Sequence, residues 1–92
     1  MTLHLVLTGY WYDEAIAGRK RIEYRLPSER WMRQIYGRRR LLREVVFHRA
    51  YTRTTAAYRI DKIDLGPCPI HGWEGEYVRI HFSNTGMSSR PQ

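Results

Sequence analysis

With 92 residues, 42% of them hydrophobic and 13% aromatic, the chain can build one core of useful size and not two, which excludes a multidomain reading. Its one cysteine excludes an internal disulfide framework, and no apolar run approaches the roughly 18 residues of a membrane-spanning helix. The net charge of +7 is unevenly placed. Residues 19 to 59 carry 13 Lys or Arg against three acids and the remainder carries three against six, so the middle of the chain is suited to phosphates or another polyanion.

The opening residues show neither a cationic leader nor a small-residue cleavage site, so no signal peptide is expected and a reducing cytoplasm is the expected compartment. In "LHLVLT", Leu3, Leu5 and Leu7 share one face, which predicts a strand with a buried side. "GYWYDEAIAG" pairs Trp11 with Ala15 and Tyr12 with Ile16, the spacing of a short helix, and Gly18 is placed to end it in the left-handed conformation. From Ile22 the alternation returns, with Ile22, Tyr24 and Leu26 expected in the core and Glu23 and Arg25 on the opposite face.

Pro27 interrupts, and Ser28 is a good N-cap for a second helix, "ERWMRQIY", in which Trp31 pairs with Ile35 and Met32 with Tyr36 before Gly37 stops it. "GRRRLLRE" reads as a charged turn into a buried strand, "EVVFHRAY", followed by the polar loop "TRTT". In "AAYRIDKIDLG", Tyr58 and Ile60 alternate in one phase and Ile63 and Leu65 in the other, which predicts a bulge near Asp61 and Lys62. "GPCPIHGWEG" is a loop, and "EYVRIHF" is a closing strand with Val78, Ile80 and Phe82 inward and Tyr77, Arg79 and His81 outward. The expected architecture is α+β: one domain over residues 1–83, an open barrel of mostly antiparallel strands with two short helices. Residues 84–92 have nothing to bury and are expected to form a disordered tail.

Lys20, Glu23 and Arg25 combine a helix end, a strand start and mixed charge. They form either a solvated ion-pair cluster or a site in which a carboxylate orients two cations toward a phosphate. A cationic neighbourhood also suits Lys20 to act as nucleophile or base and Glu23 as acid or base. Arg38, Arg39 and Arg40 form a dense cationic turn suited to a phosphate backbone. Trp11, Tyr12, Trp31 and Tyr36 are large enough to stack bases, although their helical spacing is also that of core residues. Cys68 and His71 lack the further ligands a zinc site needs, so no metal is expected. His48 and His81 read as structural, no Ser, His and Asp triad stands out, and Thr52, Thr54 and Thr55 are loop hydroxyls without a fixed place.

"HLVLTGYWYDEAIAGRKRIEYR" resembles the opening of an ASCH domain, a small β-barrel family related to PUA domains, marked by G-x-K-x-x-E-x-R after the first helix. Gly18, Lys20, Glu23 and Arg25 match every specified position, and the later segments follow in the family's order over residues 3 to 82. The resemblance implies a barrel of five to six strands with a basic cleft that binds RNA or a nucleotide without a cofactor. Lys20, Glu23 and Arg25 would line that cleft; Trp31, and Arg38, Arg39 and Arg40 on the backbone nearby, are the further expected ligand contacts. Some small members are hydrolases acting on RNA or on N4-acylcytidine, which would make Lys20 and Glu23 catalytic. Against this, the threonine that the amidohydrolase carries three residues after its lysine is Glu23 here, and Glu74 or Glu76 corresponds only loosely to its downstream glutamate. A protein-interaction module with a basic face is the third class to weigh.

Overall fold

The computed structural model describes residues 1–84. The first strand, β1 (Thr2–Leu7), buries Leu3, Leu5 and Leu7 and exposes Thr2, His4 and Val6, as its period of two predicts. Thr8 then caps helix α1 (Gly9–Ile16), its hydroxyl accepting the Trp11 N–H at 3.4 Å. The apolar stripe of α1 differs from the expected pairing, because Tyr12 and Ala15 are buried whereas Ile16 is exposed. Gly18, at φ 83°, ends the helix as expected: its N–H reaches the Ala15 carbonyl and the Arg19 N–H reaches that of Glu14, the paired bonds of a Schellman motif.

Strand β2 (Ile22–Arg25) leads to α2 (Glu29–Gln34), capped by Ser28 through the Trp31 N–H at 3.2 Å. Gly37 does not stop this helix. Ile35, at φ −114° and ψ −67°, breaks the α geometry, and the chain continues as a 3₁₀ turn over Tyr36–Arg38 that contains Gly37. This keeps Ile35 fully buried while Trp31, Met32 and Tyr36 pack against the core. Strand β3 (Glu44–Arg49) follows, then β4 (Thr55–Pro67) and β5 (Glu76–Ser83). The predicted bulge is present: the β4–β5 register shifts between Ile60 and Lys62, so that Asp61 is the extra residue and Tyr58 and Ile63 both reach the core. Asn84 lies just past β5, exposed and without regular structure; the rest of the expected tail lies outside the described residues.

The five strands form one curled sheet in the order β1-β3-β4-β5-β2, an open half-barrel. It is mixed rather than antiparallel throughout. β1 pairs in parallel with β3, and the other three ladders are antiparallel. A parallel pair needs a crossover, and here the crossover is the whole stretch α1, β2, α2 and the 3₁₀ turn, which carries β2 to the far edge of the sheet. The curl closes around Leu5, Val45, Phe47, Val78, Ile80 and Phe82, with Phe47 and Phe82 edge to face at 4.9 Å.

The facing of β2 is the reverse of the sequence expectation. Its ladder places Glu23 beside Ile80 and Arg25 beside Val78, so the two charged residues point into the half-barrel. Ile22 and Tyr24 lie instead on the outer face beside His81 and Arg79, half-buried, and Leu26 is exposed. The ion pairs described below make this possible: a carboxylate held between two cations is accepted at a buried position that an isolated one would not occupy.

The outer face of β4 and β5 carries its own polar cluster. Arg79 donates from Nε and Nη2 to the two oxygens of Asp64 at 2.8 and 2.9 Å, His81 Nε2 lies 3.1 Å from the same carboxylate, and Lys62 Nζ lies at 3.8 Å. The Arg79 hydrogen bonds, helped by His81 and opposed by burial, hold the Asp64 carboxyl down to about 2 from its usual 3.8. A carboxyl depressed on folding stabilises the protein above its unfolded value, and that contribution disappears as pH falls from 3.8 toward 2. Asp64→Asn is therefore expected to lower the urea midpoint at neutral pH, with the gap from wild type closing across that acid range. A gap that stays constant down to pH 2 would contradict the assignment.

Candidate functional site

The half-barrel has two open edges, β1 and β2, and the site forms where they approach. Along β1 the odd residues bond to β3 and its flanks, since the Met1 carbonyl accepts from Arg43 and that of Leu7 from Ala50. The carbonyls of Thr2, His4 and Val6 therefore point to the open edge. From β2, Arg25 reaches across the opening and donates from Nη2 to the Val6 carbonyl at 2.9 Å. A side chain thus closes one rung of the barrel that backbone pairing leaves open.

Arg25 is held in this reach by Glu23, whose Oε2 accepts from its Nε at 2.7 Å. The other carboxylate oxygen, Oε1, lies 2.9 Å from Lys20 Nζ. The Schellman end of α1 delivers Lys20 to this point, and its ammonium also donates to the Ile22 carbonyl at 2.8 Å and faces the Trp11 ring at 4.9 Å. The three residues singled out in the sequence do converge, but not as an open cleft wall: Lys20 is 9% and Glu23 6% exposed. With all three ionised the group carries one net positive charge, and Arg25, the most exposed of them, retains N–H groups without a partner among the described residues.

Trp31 links this group to a groove between α2 and the open edge of β1. Arg25 lies 5.3 Å and Arg30 4.6 Å from its ring, and the groove, of about 380 Å³, is lined by Thr2, His4, Arg30, Trp31, Gln34 and Arg38, with no acid. Arg38 is fixed there by Gln34 Oε1 at 3.1 Å. Of the other arginines expected beside it, Arg39 folds back over the Tyr36 ring at 4.0 Å and Arg40 is exposed in the turn, so neither lines the groove. Arg30 and Gln34 were not among the sequence candidates, although the spacing Arg30, Gln34, Arg38 is a polar stripe repeating every four residues.

The remaining candidates lie elsewhere. Thr52 spends its hydroxyl on the Arg49 carbonyl and the Thr54 N–H, and Thr55 stands opposite His48. His48 bonds His4 at 3.0 Å on the outer face of the sheet. Glu74 and Glu76 are exposed and make no ion pair among the described residues. Cys68 is buried at the start of the loop that carries the exposed His71. Among the described residues, no three His, Cys, Asp or Glu are grouped to hold a metal ion, and no helix is long and apolar enough to cross a membrane. The sequence matches no family model, and no curated protein or solved structure matches it.

Proposed function

We propose that the chain is an ASCH-type, PUA-like domain that binds RNA or a nucleotide along the groove between β1 and α2. The observation that carries this reading is the groove itself: two arginines and an indole on an acid-free wall, joined through Trp31 to the net-positive group of Lys20, Glu23 and Arg25. Guanidinium groups suit phosphate by bidentate donation, and the open edge of β1 offers main-chain acceptors at Thr2 and His4 to base donors. Binding is favoured over hydrolysis because Lys20 is already committed to a carboxylate, a carbonyl and a ring. An ammonium so placed orients its neighbours and is poorly disposed to attack a substrate.

Titration of the protein with a short single-stranded RNA and with a nucleoside monophosphate, followed by tryptophan fluorescence, tests the reading. Affinity is expected to fall with salt at a slope of about −0.7 per phosphate contacted, and Arg38→Ala to reduce that slope by close to one contact. Absence of binding at low salt would overturn the proposal, and unchanged affinity in both Arg38→Ala and Arg30→Ala would remove the groove as its site. The same samples incubated with labelled RNA and with N4-acetylcytidine are expected to show no turnover; turnover abolished by Lys20→Ala would favour the hydrolase.

A further inference from the structure

Every ring singled out in the sequence as a stacking platform is either buried or has a cation over its face. Tyr12 is buried, Trp11 faces Lys20, Trp31 faces Arg25 and Arg30, and Tyr36 lies under Arg39. The aromatic left open is Tyr51, 94% exposed at the tip of the β3–β4 hairpin, with no ring stacked on it and no cation over its face among the described residues. The turn that presents it is closed by hydrogen bonds. Arg49 N–H bonds the Thr54 carbonyl at 2.9 Å, the Thr52 hydroxyl bonds the Arg49 carbonyl at 2.6 Å, and the Arg49 guanidinium is locked onto Asp13 of α1 at 3.0 and 3.1 Å. Ala50 sits at φ 50°, a left-handed conformation that a residue with a Cβ adopts only when its surroundings impose it.

The tip also adjoins the site. Ala50 N–H bonds the Leu7 carbonyl at 2.7 Å, one residue along β1 from the Val6 carbonyl that Arg25 holds. Two residues on in the same hairpin is Arg53, exposed and without a carboxylate partner among the described residues, and Tyr10, also exposed, lies in the first turn of α1, just past the same end of β1. From His4 in the groove to Leu7 at the hairpin is three residues of strand, on the order of 10 Å.

We infer that the β3–β4 tip is a base-stacking contact for single-stranded nucleic acid, with one unpaired base on Tyr51 and its phosphate near Arg53. The ligand of the groove is then a strand of several nucleotides rather than a free nucleotide. This rests on the reading of the groove as a nucleic-acid site and adds a second point of contact to it. An uncovered ring on a hydrogen-bonded turn, two residues from an unpaired cation, is what sequence-tolerant single-strand binding uses, because every base offers a face to stack.

The experiment compares a fluorescently labelled single-stranded RNA of six nucleotides with a nucleoside monophosphate, on wild type, Tyr51→Ala, Tyr51→Trp and Arg53→Gln. Tyr51→Ala is expected to weaken the six-nucleotide RNA about tenfold or more while leaving the mononucleotide affinity and the thermal midpoint unchanged, and Tyr51→Trp to retain the RNA affinity. Arg53→Gln is expected to lower the salt slope for the RNA alone. Equal RNA affinity in wild type and Tyr51→Ala would overturn the inference and leave the groove intact. Wild type that binds the RNA no more tightly than the mononucleotide would do the same, whereas failure to bind either at low salt would remove the groove as well.

Discussion

Glu23→Ala is expected to destabilise the protein by about 3–5 kcal/mol, the cost of leaving a buried cation without its counter-charge. Glu23 lies between Lys20 at 2.9 Å and Arg25 at 2.7 Å, so its removal uncovers two cations at once. The two respond differently. Arg25 retains the Val6 carbonyl and some contact with solvent, but Lys20 is enclosed and keeps only the Ile22 carbonyl and the faces of aromatic rings. Lys20→Met should cost less than Glu23→Ala, because Glu23 would still be paired with Arg25. Urea denaturation of the three proteins at neutral pH orders them. Wild-type stability in Glu23→Ala would show that the group is solvated and that its enclosure counts for little.

The strands that were legible in the sequence are those whose apolar residues repeat every second position on one buried face. Leu3, Leu5 and Leu7, and likewise Val78, Ile80 and Phe82, had one consistent way to face. The change of phase between Ile60 and Ile63 announced the bulge for the same reason, and Gly18 was legible because a helix end at positive φ favours glycine. β2 misled because its apolar and charged residues alternate equally well on either face. The deciding partners, the turn residue Lys20 and a carbonyl 19 positions earlier in the chain, are invisible to a local pattern. Parallel pairing of β1 with β3 was hidden for a related reason: nothing local distinguishes a crossover from a hairpin when helices and a strand intervene. At the site, the convergence of the motif residues was legible in their spacing, and their enclosure was not. Arg30 and Gln34 escaped because their stripe with Arg38 runs across the break between α2 and the 3₁₀ turn.

The enclosed pair poses the sharper test of why the group is there. Buried ion pairs replaced together by apolar residues of similar size often cost nothing, and proteins can even gain stability from the exchange, because desolvating two charges offsets most of their attraction. Lys20→Met combined with Glu23→Leu is therefore expected to recover most of what Glu23→Ala loses, ending within about 1–2 kcal/mol of wild type. Arg25 in that variant would keep the Val6 carbonyl but lose the carboxylate that fixes its Nε, so its guanidinium would no longer be held beside Trp31. Single-stranded RNA binding should consequently weaken about tenfold or more despite the recovered fold, since an oriented charged donor contributes about 1.5–3 kcal/mol. That combination, stability restored and affinity not, separates a group retained for ligand binding from one retained for folding. A double variant that binds RNA as wild type does would mean that Glu23 and Lys20 serve only the closure of the barrel, and that the groove acts through Arg30 and Arg38 alone.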